Sequence, residues 1–184
     1  MTSAQFHAPR RARNFLDRLR RDENGFTAVE FGIVAVPFLM MLFGIINVGL
    51  LYFTSFSIEN ATENAARFIR TGQAKTNAWS QSQFKTEVCN RVPTFVDCAS
   101  KLRVDVRVVP EGTAPTPPPG TSGGALVSDA QTQYQNSAGG DIVMVTAFYQ
   151  WDLAKYLPFL QIGNMGDGSR LVQATVAFKN EPFN

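Results

Sequence analysis

Residues 31–58 (FGIVAVPFLMMLFGIINVGLLYFTSFSI) run for 28 positions without a charge, bounded by Glu30 and Glu59. As a helix they extend about 42 Å at about 1.5 Å per residue, more than the roughly 30 Å of bilayer hydrocarbon. A soluble core helix is rarely so long and so apolar on every face, so the run predicts a membrane-spanning helix. Pro37 and the glycines Gly32, Gly44 and Gly49 interrupt it. Pro37 removes one backbone donor, which membrane helices tolerate where neighbours or local adjustments satisfy the freed carbonyl. Gly44 and Gly49 stand five apart, off the small-xxx-small spacing, and read equally well as ordinary membrane-helix glycines.

Beyond Ile58 the pattern turns amphipathic. Ala61, Ala65, Phe68 and Ile69 recur at helical spacing, with Glu59, Glu63, Asn64, Arg67 and Arg70 on other faces. Thr71-Gly72 suits a helix C-terminus, so one rod is expected over 26–70, in which small Ala65 and Ala66 would let a neighbouring helix approach. Residues 77–88 predict a second, shorter helix with Trp79, Phe84 and Val88 in an imperfect stripe.

Residues 101–109 (KLRVDVRVV) alternate with period 2, the pattern of a half-buried strand with Leu102, Val104, Val106 and Val108 inward. Residues 141–151 (DIVMVTAFYQW) and 170–180 (RLVQATVAFKN) predict two more strands, separated by a short helical or turn element over 153–160 that ends at Pro158. The stretch 110–141 is rich in Pro, Gly, Ser, Thr and Gln and reads as an exposed insertion between strands, with a partner-contact loop as the alternative. The order predicts an α+β fold: a long N-terminal transmembrane and rod helix, then a small extracytoplasmic domain with an antiparallel sheet of about three strands. The boundaries are a basic leader over 1–25, the membrane helix with its amphipathic extension over 26–72, and the head over 73–184 with its insertion at 110–140. The outer half of the rod is expected to pack on the sheet.

Charge gives this layout a direction. Residues 1–25 carry six arginines against three acids, a net of +3, although the whole chain is only +2. Positive charge just before the apolar run, and little just after it, predicts a cytoplasmic N-terminus and a head across the membrane. A cleaved secretory signal fits poorly, because its apolar region spans about 7–15 residues and Ser55-Phe56-Ser57 is a poor cleavage site. Nucleic acid is not an expected partner, since the basic run abuts a membrane segment and no aromatic-interleaved basic stripe follows.

The only histidine is His7, so residues 26–184 lack the usual general base and the commonest transition-metal ligand. No Walker loop, GxSxG, HExxH or paired-carboxylate signature occurs, and the glycine-rich loop at 163–168 offers one carboxylate where calcium takes several oxygens. No catalytic residue, metal site or cofactor is expected. Cys89 and Cys98 close a ten-residue loop with Pro93, and on the trans side of the membrane they are expected to form a structural disulfide. A redox-active pair, the alternative, would sit closer to CxxC spacing.

Glu30 stands at the start of the apolar run. It either snorkels to the headgroups or awaits a cationic partner. A cut after Gly25 would supply that partner as a new α-amino group on Phe26, which a neighbouring subunit's Glu30 could pair. The sequence Gly25-Phe26-Thr27-Ala28-Val29-Glu30-Phe31 resembles the class IV prepilin processing site of the Flp/Tad pilus system: a glycine, four residues, then Glu followed by an aromatic. More particularly the chain resembles TadE-like pseudopilins (minor pilins). It shares their basic leader, this junction, one long apolar helix and a small head, with matching pieces at 60–67 (NATENAAR) and at the ending 178–183 (FKNEPF).

The resemblance implies cleavage by a prepilin peptidase between Gly25 and Phe26, with Glu30 and Phe31 read in peptidase recognition and assembly. It also implies a structural role in a Flp/Tad pilus serving adhesion and biofilm formation. The implied partners are the peptidase, a major Flp-type pilin, other minor pilins of TadE and TadF type, an inner-membrane assembly platform and the bilayer. TadF- and TadG-type proteins share the N-terminal features, so the subtype stays open. The rival reading is a bitopic inner-membrane protein that keeps its leader and carries a periplasmic binding or regulatory domain.

Overall fold

The computed structural model describes residues 23–183, with side chains described over 27–183. Residues 1–22 of the basic leader, with its six arginines and His7, lie outside the described residues. Helix α1 covers Glu23–Arg70, with Pro37 inside it. The chain divides into two units, Met1–Ile45 and Ile46–Asn184.

In the first unit α1 exposes apolar side chains all round: Phe31, Ile33, Val34, Val36, Phe38, Met41 and Ile45 are each more than half accessible. Such a helix has no face prepared for a protein core.

The second unit uses the rest of α1 differently. Asn47, Leu51, Thr54, Ile58, Ala61, Ala65 and Ile69 are all buried, at steps of three and four residues. This stripe covers one face of a three-stranded antiparallel sheet formed by β1 (Leu102–Val109), β4 (Ile142–Trp151) and β5 (Arg170–Lys179), with β4 in the middle. Register pairs Val104 with Ala147 and Ala147 with Ala174, and Val106 with Val145. Leu102, Val104, Val106, Val143, Val145, Ala147, Val172 and Ala174 therefore share the helix-facing side, as period 2 requires. Ala61, Ala65 and Ala66 permit a close approach, but the element that approaches is this chain's own sheet and not a neighbouring helix.

After α1 come a four-residue helix α2 (Gln73–Thr76), α3 (Gln81–Cys89) and a single turn α4 (Cys98–Lys101). The expected helix over 77–88 starts instead at Gln81. Ser80 N-caps it in a capping box with Gln83, and this local hydrogen bonding overrides the apolar spacing that included Trp79. Trp79 packs on Phe68, ring centroids 5.2 Å apart, while Phe84 and Val88 are fully buried under the sheet's β1 side. Val108, expected inward, is only half-buried, while Val109 is buried on the other face of the sheet.

The Pro/Gly-rich stretch is less open than its composition suggests. Its tip at 111–117 is exposed, but residues 118–127 fold back, and a Cβ at Gly120 would lie 2.4 Å from the Phe148 ring. A small hairpin, β2 (Thr121–Ser122) and β3 (Ala125–Leu126), follows, and Val127 N–H donates to Gly120 O at 3.1 Å. Here the stretch shields the second sheet face, where Met144, Thr146 and Phe148 are buried. Residues 133–135 run beside β1: Val106 N–H donates to Gln133 O and Gln135 N–H donates to Val106 O. Asp105, which alternation places toward solvent, is buried there. It accepts two bonds from Arg107, at 2.7 and 3.1 Å, and one from the Gln133 backbone N–H.

The C-terminal segment returns to the end of the rod. Glu181 N–H donates to Arg70 O at 3.0 Å, satisfying a carbonyl that helix termination leaves open, and Asn180 is buried against Ser137 and Ala138. Gly72 turns the chain out of α1 with φ 77°.

Candidate functional site

α1 begins at Glu23, so Gly25 and Phe26 lie in its first turn. Phe26 and Glu30 are four residues apart, which puts them on one helix face about 6 Å apart along the axis. Glu30 and Phe31 are both exposed. Glu30 is the sole charge from 24 to 58, so it is the one position where that stretch can make a charge-assisted contact. Gly25, Phe26, Glu30 and Phe31 fall within seven residues of one helix, about two turns.

Cys89 and Cys98 lie elsewhere, in the head. The structure bonds them, with Cα atoms 5.6 Å apart, and so ties the end of α3 to the start of α4 around the loop that holds Pro93 and Phe95.

The densest charge cluster of the head joins α4 to the 3-10 turn Asp152–Tyr156 and to the loop at 163–168. Asp152 is met by Lys101 Nζ at 2.6 Å and Lys155 Nζ at 2.9 Å, and Lys155 Nζ also reaches Asp167 at 2.6 Å. Hydrogen bonds from Lys155 and then Ser169 hold the Asp167 carboxyl well below the usual carboxylate range. Burial pushes Asp152 up, but the bonds from Lys101 and Lys155 outweigh it and the net shift is downward. Lys155 is pushed up by its bonds to Asp167 and Asp152. Each group is thus driven further into its charged form, the opposite of what proton transfer near neutral pH requires. The cluster is a clamp between segments. The glycine-rich loop is a turn closed by Asp167, whose carboxylate also receives Gln150 Nε2 at 2.9 Å.

Three polar residues that matter to the architecture escaped the sequence reading. Asn47 donates through Nδ2 to Leu153 O at 3.2 Å, and Thr54 is fully buried in the same helix face. Both carry the only available signal, a polar residue recurring with Leu51 and Ile58 at steps of three and four inside an apolar run. Asn180 is the third, and nothing in its local sequence marks its long-range bonds.

Comparison with known proteins adds one finding. Residues 25–67 match the family model described as TadE-like protein, whereas no curated protein and no solved structure matches the chain. The matched segment starts at the glycine of the junction, spans the exposed apolar stretch and most of the sheet-facing stripe, and stops three residues before α1 ends. Over residues 25–67, from the Gly25 junction to the outer part of the rod, this chain is similar to the TadE-like family.

Proposed function

We propose that this protein is a minor pilin of a Flp/Tad pilus, held in the inner membrane by α1, cleaved after Gly25 and then assembled by lateral packing of that helix. The TadE-like domain supports a pilin-like role in a Tad pilus, and the role of such a family is structural. The observation that carries the finer reading is the coincidence of three features at one end of one helix. The family match begins at Gly25, Glu30 follows five residues later, and the stretch beyond is apolar and exposed on every side.

Each feature has a task in this reading. Glycine at the cut has no Cβ to obstruct a narrow peptidase site, and it weakens the first helical turn that must open there for cleavage. Cleavage frees the Phe26 amine at the positive end of the helix dipole, where the carboxylate of Glu30 within the next turn is favoured. The amine of one subunit and Glu30 of the next then pair in lipid, where leaving either unpaired costs several kcal/mol. This pairing sets the axial step between subunits. The arginine leader keeps the N-terminus cytoplasmic, and the Cys89–Cys98 bond suits a head in an oxidising compartment. The partners are the prepilin peptidase, the major pilin, sister minor pilins and the assembly platform.

Two variants separate processing from assembly. Gly25→Ala is expected to accumulate as the larger, uncleaved chain on a gel, whereas Glu30→Gln is expected to be cleaved normally and to lose pilus assembly. Normal maturation of the first variant would sink the processing step, and normal piliation with the second would sink the pairing.

A further inference from the structure

The exposed apolar side chains of the head are not scattered. In the 3-10 turns Asp152–Tyr156 and Pro158–Leu160, Leu153, Tyr156 and Phe159 recur every three residues and are 39%, 75% and 48% accessible. Within the first turn the three-residue spacing puts Leu153 and Tyr156 on one side, with Ala154 buried on another, and after Leu157 leaves helical geometry Phe159 is exposed in the second turn. The Asn47–Leu153 hydrogen bond fixes this segment at the point where α1 first enters the head. A second loop, closed by the disulfide, brings Phe95 (53% accessible) onto Phe53 (51%), ring centroids 5.9 Å apart. The two attachments, at Asn47 and Phe53, are six residues apart on α1, about 9 Å along its axis, slightly more than the roughly 5–8 Å of one headgroup layer.

From this geometry we infer that Phe53, Phe95, Leu153, Tyr156 and Phe159 form a collar that sits in the headgroup layer of the bilayer, so that the head rests on the membrane surface. The inference rests on the reading of α1 as a membrane anchor. Its occupant is lipid because Phe53 lies on the helix whose preceding stretch exposes apolar side chains all round, and the other collar segments are fastened to that helix at Asn47 and Phe53. From Thr27 to Ile46 that stretch is about 30 Å long as a helix, one hydrocarbon thickness, which leaves Asn47 at the boundary where aromatic side chains gather. Burial is hydrophobic and not electrostatic: Lys155, beside Tyr156, is already held by Asp152 and Asp167.

The test uses the full chain in vesicles of phosphatidylethanolamine and phosphatidylglycerol, with one nitroxide per molecule. Cys89 and Cys98 are bonded to each other, so a label goes to a newly introduced thiol. Labels at Tyr156→Cys and Phe159→Cys are expected to favour collision with oxygen over a water-soluble nickel chelate. That preference should approach the one at Val36→Cys in the apolar stretch and reverse the one at Gln173→Cys on β5. If Val36→Cys reads lipid while the collar reads like Gln173→Cys, the collar is overturned and the anchor stands. If Val36→Cys also reads water, the anchor reading falls and the collar with it. Shielding of Tyr156→Cys from both reagents that grows with protein density would assign the surface to a second copy and overturn the lipid assignment.

Discussion

From Thr27 to Ile45, α1 presents valine, phenylalanine, isoleucine and methionine outward on every face, whereas from Asn47 to Ile69 the same helix buries one stripe and leaves the others open. Apolar content does not separate the two halves, since residues 31–58 are uncharged throughout. What separates them is periodicity: in the second half Asn47, Thr54 and Ala61 recur every seven positions, alternating with Leu51 and Ile58 in one stripe of three- and four-residue steps, and the first half has no such buried stripe. The first half is complementary to a uniform apolar solvent, and the second to one particular sheet face. A substitution should therefore cost head stability only in the second half, and affect insertion or assembly in the first.

The largest effect should come from the stripe itself. Ile58→Ala deletes a fully buried side chain and is expected to cost about 2–5 kcal/mol of head stability, whereas Ile33→Ala should leave it within about 0.5 kcal/mol. Denaturant unfolding of both variants in detergent, followed by Trp79 and Trp151 fluorescence, makes the comparison. Equal losses would erase the distinction between the halves.

Removing the Cys89–Cys98 bond by paired alanine substitution should cost about 2–3 kcal/mol, because a short loop is freed in the unfolded chain. The same assay reads it, and an unchanged midpoint would show that the loop is already held by its packing.

A finer contrast is available among glycines. Gly72→Ala imposes a left-handed backbone on a residue with a Cβ, which would also stand 2.6 Å from the Phe183 ring, and a loss of about 1–2 kcal/mol is expected. Gly49→Ala meets nothing within 4 Å and should cost the head nothing. If the two behave alike, the turn at Gly72 does not fasten the rod to the C-terminal segment.

The smallest effect concerns pH. The folded-state pKa of Asp167 is lowered, so its contribution is present above the ordinary aspartate value near 4 and fades as pH falls below it. Asp167→Asn should flatten the acid side of the head's Tm profile between about pH 4 and pH 2, and only slightly because the group is exposed. A profile that stays unchanged would remove Asp167 from the clamp.

Periodicity made the three strands and the long helix legible, because side-chain alternation and apolar run length act locally. The motif at Gly25 and Glu30 is contained in seven consecutive residues, and the family match begins at its glycine, while cleavage and pairing there are the proposal that the variants test. The features that the sequence hid depend on distant partners. Asp105 looked solvent-facing until residues 133–135 covered it, and the proline-rich stretch looked open until Gly120 met Phe148. The inner limit of the rod's packing was hidden for a different reason. Asn47 and Thr54 look like imperfections in a membrane helix, and only the sheet they face gives them a role.

The central claim, that proteolysis converts an anchored precursor into an assembly-ready subunit with its new amine facing a Glu30, is tested most directly by reading the N-terminus of the protein isolated from its host membranes. The account predicts a chain that begins at Phe26. A chain that retains Arg10, Arg11 and the other leader arginines would contradict it and favour a bitopic membrane protein whose head binds or regulates a partner.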